Sequence, residues 1–441
     1  MKLLHEQSAQ CLRSELDLFS VPPTQTAVES SQWIEYSPVS TITSSSPIEF
    51  IVSGSGEDYV DLSNTLIEVK ACIKSSESSP VDNTVPVAPI NNTLHELFSQ
   101  VDVSLNDVNV SSATTTYPYR AYLETHLNFG ADAKKSRLQA ALYYIDDNIS
   151  ISNPIPESSG TKNRGLKKRH EICTKKTFDM IGPLHADVFN QSKYLLNGVS
   201  MKLRLSRSKD DFVLMAKDNT TKYMIEILSA KLFIRKLKIS PSLCLAHERI
   251  LQTKTAKYPI SRVECKIIHL PQGQKNFSHD NLFLGQLPKR IVMGIVDNRA
   301  FNGDLTLNPF NFQHCDLNFL AVHLDGRQIP WAPLQPSYSG DSYIRAFYTQ
   351  FTGGEGISSD TGNTIGREVF SKGHALYCFD LTPDLSSSCG HHFSVSKSGN
   401  LRLELGFETA LTFTGNVLVY SEFDSIIEID KDRNVTRNYG H

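Results

Sequence analysis

The chain has 441 residues, 40% of them hydrophobic and 21% charged, with 44 Lys plus Arg against 47 Asp plus Glu and a formal net charge of −3. This composition can fill large apolar cores and excludes global disorder, and the charge balance excludes a strong overall attraction to DNA or RNA. At about 150 residues per domain, the length predicts two or three domains, and two is our starting hypothesis.

Neither a secretory signal nor a membrane span is predicted. Residues 1–18 mix charged and polar side chains and lack an apolar core segment. No run approaches the ~20 consecutive apolar residues that cross a bilayer. We therefore expect synthesis in the host cytosol, and we expect the eight scattered cysteines to remain free thiols.

Residues 1–46 are predicted to form an extended N-terminal arm. They are rich in Ser, Thr and Pro, with the runs VPPTQT at 21–26 and SSSP at 44–47. Proline lacks a backbone N–H donor and fixes φ, so such runs disfavour regular secondary structure.

Alternating strands dominate the rest of the chain. In residues 67–73, apolar side chains alternate with Glu, Lys and Cys, the period-two pattern of a sheet with one wet face. The same pattern returns at 101–105. Long polar connections such as 75–92 and 153–174 separate the strands, where a parallel sheet would need regular helical crossovers. The sequence therefore predicts an all-β, antiparallel architecture.

A weak internal repeat divides this pattern into two halves. In the first half, residues 103–107 are typical of a strand entering a tight turn, and residues 119–124 (YRAYLE) of a short helix. In the second half, residues 322–326 and then 344–349 (IRAFYT) follow in the same order with similar chemistry. The match indicates an internal duplication.

Further along each half, a Gly-containing turn leads into one more alternating strand, at 201–205 and at 401–407. A repeating unit of about two hundred residues is large enough for one eight-stranded jelly roll. We therefore predict two tandem eight-stranded antiparallel jelly-roll barrels, a double jelly roll with short helices in loops, over residues 47–240 and 241–441.

Residues 162–170 (KNRGLKKRH) are the densest basic run. Lys167, Lys168 and Arg169 at its centre are candidates for a nuclear-import signal or a nucleic-acid contact. The alternative, which we favour, is a solvated loop.

The sequence indicates no enzyme: we expect no catalytic residue, no cofactor and no metal. His391 and His392 lie near Cys378 and Cys389, but no Cys-x-x-Cys or His-x-x-x-His spacing frames a zinc site. The glycine-rich run at 353–356 lacks the Lys-Ser/Thr of a P-loop, and no Gly-x-Ser-x-Gly elbow occurs.

Two segments near the N-terminus resemble a known family. SELDLFSVPPTQT at 14–26, followed by IEFIVSGSGEDYVDL at 48–62, is similar to the hexon-like major capsid proteins of Polinton (Maverick) elements and adintoviruses. The detailed match covers roughly the first seventy residues. Beyond them, the resemblance depends on length, strand pattern and the duplication.

The resemblance implies a double jelly roll that forms homotrimers, whose pseudo-hexameric capsomers build an icosahedral shell around double-stranded DNA. Partners would be neighbouring capsomers, minor or penton capsid proteins and, weakly and non-specifically, the enclosed DNA. The protein would reside in the virion capsid, with assembly in the nucleus as one option. We expect Leu16, Leu18 and Phe19 of the arm to order on a neighbouring subunit.

Two other functions stay open at this stage. A carbohydrate-binding β-sandwich would use an exposed aromatic platform, for which Trp33 and Trp331 are the available tryptophans. A domesticated host copy of a capsid gene would have the same fold and a different role. A cupin-type enzyme is disfavoured, because the scattered histidines show no metal-ligand spacing.

Overall fold

The computed structural model describes residues 7–9, 11, 13–54, 56–75, 79–112, 114–155, 162–174, 177–283, 285–352, 362–388, 390 and 392–438. Within them, the strands up to Ile239 form one unit: β1 Val28–Tyr36, β2 Ile48–Val52, β3 Tyr59–Ser75, β4 Val87–Pro89, β5 Phe98–Leu105, β6 Val108–Asn109, β7 Phe178–Pro183, β8 Met201–Arg207, β9 Leu214–Ala216 and β10 Tyr223–Ile239.

The strands that follow form a second unit: β11 Ala256–Leu270, β12 Asn276–His279, β13 Arg290–Asp297, β14 Leu317–Leu324, β15 Arg327–Leu334, β16 Leu376–Asp380, β17 Leu401–Phe407, β18 Gly415–Ile429 and β19 Val435–Asn438. Short helices lie in the connections: α1 Thr93–Glu96, α2 Tyr117–Asn128, α3 Ala131–Lys135, α4 Arg164–Cys173, α5 Asp210–Val213, α6 Pro241–Leu251, α7 Asn298–Asn302, α8 Ile344–Thr352 and α9 Arg367–Phe370. Helix α6 joins the two units.

Each unit is a sandwich of two four-stranded antiparallel sheets with the same strand order. The first unit has sheets β1-β10-β3-β7 and β2-β8-β5-β6, with β4 and β9 paired beside them. The second has β11-β18-β13-β16 and β12-β17-β14-β15, with β19 added to β18. Without β4, β9 and β19, each unit has eight main strands. Numbered 1 to 8 along the chain, these strands lie in the sheet orders 1-8-3-6 and 2-7-4-5 in both units. This is jelly-roll topology, so the predicted double jelly roll is confirmed.

Alternation along the strands fills the interior of each sandwich. In β3, Ile67, Val69 and Ala71 are buried, whereas Glu68 and Lys70 on the other face are not. One hydrophobic core occupies the second jelly roll. The other fills the first jelly roll and continues onto the outer face of β11-β18-β13-β16. The two jelly rolls are therefore packed against each other.

The structure differs from the predicted arm over residues 28–36. These residues form β1, which pairs with β10 from Val28↔Ile239 to Tyr36↔Leu232. Because β1 is an edge strand with one solvent face, its Ser-rich sequence carries only a weak strand signal. Its partner is about two hundred residues away, and local periodicity cannot reveal such pairing. The described residues of the arm between 7 and 27 are exposed.

Candidate assembly surfaces

Helix α2 lies between the two jelly rolls. It begins with Pro118 in its first turn, a position that proline tolerates, and its residues from Tyr117 to His126 are all buried. The Tyr122 ring stacks on Phe310 of the second unit with centroids 3.9 Å apart and planes within 4°. Tyr119 stacks on Phe301 at 5.5 Å. We call this contact region around α2 the seam.

Charged side chains of α2 form a buried network in the seam. Arg120 Nε lies 2.8 Å from Glu124 Oε1, and Arg120 Nη2 lies 2.7 Å from Asp187 Oδ1. Tyr420 of the second unit donates to Glu124 Oε1 at 3.3 Å. Burial alone would raise the pKa of Glu124, but Arg120 and His185 outweigh it and lower that pKa to about 2. Glu124 is therefore ionised, and its charge is compensated within the seam.

Two histidines, one from each jelly roll, meet further along the seam. The rings of His126 and His374 stack with centroids 5.0 Å apart, and His126 Nδ1 lies 2.7 Å from Tyr143 Oη. Lys134 Nζ donates to the His126 carbonyl at 2.6 Å and to Thr364 Oγ1 at 3.0 Å. All three basic groups are buried, so this part of the seam disfavours added positive charge.

Burial sets the protonation of this cluster. Burial, with a smaller contribution from the neighbouring Lys134, lowers the pKa of His374 to about 4 and the pKa of His126 well below its ordinary value. Burial also lowers the pKa of Lys134 to about 7. At neutral pH, both imidazoles are neutral.

Acid is therefore expected to weaken the seam. Below pH ~6.5 the unfolded chain binds protons on these histidines that the folded chain does not, so the free energy of unfolding falls between pH 7 and 4. For His374, the decrease from 6.5 to about 4 corresponds to about 3 kcal/mol. Lys134 acts in the same direction between pH 10.5 and about 7.

Chemical denaturation as a function of pH measures this effect. His374→Gln should flatten the fall in stability between pH 7 and 4, and His392→Gln, at a half-exposed imidazole, should leave it unchanged. Equal slopes for His374→Gln and the wild type would contradict the assignment to the seam.

The central basic run forms helix α4, so the prediction of a loop is wrong. Asn163 caps the helix by accepting from Leu166 N at 3.2 Å. Gly165 packs so closely that a Cβ there would meet the Ile145 carbonyl oxygen at 2.4 Å. The loop was predicted from local composition, which carries no information about these tertiary contacts.

Arg169 faces the protein interior, whereas Lys167 and Lys168 face solvent. The Arg169 guanidinium is fully buried and donates to Asp146 Oδ1 at 2.9 Å, to the Tyr144 carbonyl at 2.8 Å and to the Pro89 carbonyl at 2.9 Å. It therefore braces α4 against β4 and cannot contact nucleic acid. A basic import or nucleic-acid site is left to the two lysines and stays a prediction.

Substitutions in α4 should separate these roles. Arg169→Ala leaves Asp146 buried without its partner, which should lower the free energy of unfolding by about 3–5 kcal/mol. The matched control Lys167→Ala/Lys168→Ala should change it by no more than about 0.5 kcal/mol. Urea unfolding followed by tryptophan fluorescence would check both values, and a mild effect of Arg169→Ala would count against the brace.

The arm residues Leu16, Leu18 and Phe19 are exposed, and Phe19 is 98% accessible. Ser14–Leu16 forms a single 3-10 turn with no buried residue. Their contact with a neighbouring subunit stays a prediction.

Trp331 is 89% exposed in β15, with the Arg345 guanidinium 5.9 Å from its ring centroid. Trp33 is exposed on β1 of the other jelly roll. The two tryptophans therefore do not build one joint platform for a sugar.

The described part of the chain shows neither a metal-ligand cluster nor a helix that could span a membrane. There, no three His, Cys, Asp or Glu side chains come together as a metal site. Cys389 and His391 lie outside the described residues. No helix among the described ranges is long and apolar enough to cross a membrane.

Comparisons with known proteins identify relatives of this chain in sequence and in fold. No protein-family model matches the sequence. An uncharacterised protein of Caenorhabditis elegans, F54H12.2, is 25% identical over 426 residues, which cover 94% of this chain and 98% of that protein.

Solved structures match along nearly the whole chain. A chain of the Sputnik virophage structure has a TM-score of 0.62 at 12% identity, covering 100% of this chain and 95% of that one. The Faustovirus major capsid protein has a TM-score of 0.56 at 10% identity, covering 93% and 92%. The mavirus major capsid protein has a TM-score of 0.51 at 12% identity, covering 99% and 96%. The chain therefore shares the double jelly-roll fold of viral major capsid proteins.

Proposed function

We propose that this chain is a major capsid protein and not an enzyme. The observation that carries the proposal is the seam: two jelly rolls of identical topology are fixed to each other by a buried helix, with their cores in contact. A pair of jelly rolls with a shared core is a suitable building block for a closed shell, whereas a pair of binding modules needs no shared core. The full-length likeness to solved capsid proteins supports the same conclusion.

In this proposal three copies form a pseudo-hexameric capsomer, and capsomers build an icosahedral shell around double-stranded DNA. Each trimer presents six jelly rolls, so a threefold assembly approximates sixfold symmetry. The formal net charge of −3 favours a shell that encloses DNA without binding it tightly, since tight phosphate binding needs clustered Lys and Arg. Minor or penton capsid proteins at the vertices would complete the shell.

The N-terminal resemblance supports a Polinton, Maverick or adintovirus origin for this capsid protein. A second candidate is a domesticated host copy of such a gene, and the relative of matching length in a nematode favours it. In an infected or host cell, the chain would be made in the cytosol and assembled in the nucleus. The tagged Lys167→Ala/Lys168→Ala variant reports on import, and unchanged nuclear accumulation would refute that role for the lysines.

The assembly state tests the proposal directly. The chain has a mass of 49.3 kDa, so a trimer has three times that mass, about 148 kDa. Light scattering of the purified full chain, with negative-stain imaging of the same fractions, should show trimers or hollow shells. A monomer at all concentrations and salt conditions would refute the proposal.

Two truncations test the arm. Deleting residues 1–26 spares β1, so we expect an intact fold and a strong loss of shells, because the arm orders on a neighbour. Deleting residues 1–46 also removes β1 and bares the edge of β10, so we expect a poorly folded chain. Circular dichroism and shell yield give both readouts. Normal shell yield after the shorter deletion would contradict the arm's role.

A further inference from the structure

Helix α6, which joins the two jelly rolls, has little cover within its own chain. It is 11 residues long, and isolated helices of that length are marginal in water, so most of their stability in proteins comes from tertiary packing. Among its described residues, Leu251 is the one that is buried. Helix α2, by contrast, is buried from Tyr117 to His126. A contact that covers the outward side of α6 would therefore stabilise it.

The outward side of α6 is a partly apolar stripe. Five residues follow the spacing i, i+3, i+4, i+7 and i+8 and therefore share one side of the helix. They are Ser242, Leu245, Ala246, Arg249 and Ile250, and we call them the α6 stripe. Leu245 is 61% exposed and Ile250 is 54% exposed. The stripe thus presents apolar side chains to solvent.

The N-terminal arm also carries uncovered apolar side chains. Leu16, Leu18, Phe19 and Val21 are all exposed. In extended backbone, residues 16–21 span about 17 Å, at ~3.3 Å per residue. The 11 helical residues of α6 span about 16 Å, at ~1.5 Å per residue. The arm segment 16–21 and the α6 stripe therefore match in length and in apolar character.

The arm leaves the fold beside α6. Ser240 N, directly before the helix, donates to the Ala27 carbonyl at 3.0 Å. Gln25 fixes the exit, because its Oε1 accepts from Val28 N at 2.8 Å and its Nε2 donates to the Val28 carbonyl at 3.1 Å. The two prolines at 22–23 fix φ and favour stiff, extended backbone. The arm therefore starts next to the stripe of its own chain and leaves that stripe uncovered.

We propose that residues 16–21 of one copy pack on the α6 stripe of a second copy, in a reciprocal exchange of arms. Because arm and stripe are neighbours on each chain, two copies related by a twofold axis make both contacts at one place. A trimer has a threefold axis, so the reciprocal pairs join chains of different capsomers. This inference rests on the proposed capsid function and names the surface that receives the arm.

Charge supports the arm as the occupant of the stripe. Glu15 and Asp17 are exposed on the arm, and Arg249 and Lys254 are exposed at the C-terminal end of α6 and just beyond it. Within the arm, Arg13 lies 3.6 Å from Glu15, but ion pairs as exposed as this one are weak and exchange partners readily. The acidic side chains that accompany the apolar ones therefore meet basic side chains on the receiving helix.

The size of the contact indicates which assembly step it serves. Six arm residues on one side of a short helix bury much less than the ~1,600 Å² of a standard interface, so a single exchange is weak. Repeated around a capsomer, weak contacts add through effective concentration. The exchange is therefore expected to support shell formation and to leave the trimer itself unaffected.

Substitutions on the stripe test this contact without disturbing a core. Leu245→Glu/Ile250→Glu replaces exposed side chains by a good helix former whose charge repels the acidic arm. Trimers should persist in light scattering, and shell yield in negative stain should fall at least about tenfold. Ile51→Glu, at an exposed apolar position on β2, is the matched control and should give wild-type yield. Combining the double variant with deletion of residues 1–26 should lower the yield no further than the deletion alone.

A charge exchange distinguishes docking from damage to the helix. Arg249→Glu/Lys254→Glu should lower shell yield, and adding Glu15→Lys/Asp17→Lys to the same chain should restore it. A structural defect in α6 would not be repaired by changes in the arm. Failure of the rescue would overturn the pairing of arm and stripe.

Photo-crosslinking gives an independent readout in the unperturbed fold. A benzoyl-phenylalanine at position 19 of isotope-labelled chains, assembled together with unlabelled chains, should link to peptides from residues 241–254 of the other isotope. Links within one isotope alone, or links to other segments, would overturn the exchange.

The outcomes separate this inference from the proposed function. Shells that form normally from the Leu245→Glu/Ile250→Glu variant would overturn the docking site and leave the capsid proposal standing. A monomeric wild-type chain would overturn both. Flotation of the wild type with anionic phospholipid vesicles that is lost in the double variant, without cross-links between chains, would assign the stripe to a membrane and overturn the inference.

Discussion

The burial of α2 between the two jelly rolls is the constraint on which the rest of the structure depends. A jelly roll is a complete sandwich with its own core, and two of them on one chain would ordinarily move independently. Here the helix fills the space between them with aromatic rings, and Tyr122 stacked on Phe310 joins the units directly. The outer sheet face of the second unit becomes part of the first unit's core. The two similar halves of the chain thus share one continuous core.

The buried charges of the seam contribute more to geometry than to stability. Replacing a buried ion pair by apolar side chains is often neutral, since desolvation offsets the Coulomb attraction. Arg120, however, reaches Glu124 and Asp187 at once, and both carboxylates contact the second unit through Tyr420 and Val263. Such a network is satisfied in one relative placement of the jelly rolls. This placement also depends on pH, because it buries His126 and His374 as neutral imidazoles.

Sequence reasoning predicted the architecture and missed the seam. Alternation in segments such as residues 67–73 indicated the strands, and the repeat paired elements that the structure shows to be equivalent. A short helix was predicted where α2 lies, but its burial was not predicted. The aromatic and apolar residues around much of its circumference were an available signal for that burial. Arg169 was misread for a related reason: composition shows a charge, and only tertiary packing shows that Asp146 and two carbonyls surround it. Strand β1 was missed because an edge strand takes its pairing from a distant segment.

The two halves have the same topology but different surroundings within the chain. Two equal jelly rolls would have equally buried helices, yet α2 is buried within the chain, whereas Ile344 and Tyr348 of the equivalent helix α8 are exposed among the described residues. Because the two jelly rolls belong to one chain, they are always at high effective concentration with respect to each other. The residues of the seam can therefore be as apolar as an ordinary protein core. A contact made between separate chains must instead leave its surfaces compatible with a folded monomer. In α8, Thr349 is buried and accepts from Cys378 N at 3.3 Å, whereas Arg345 is exposed beside the Trp331 ring. The position that holds a buried ion-pair arginine, Arg120, in the first half therefore holds a solvent-facing arginine in the second.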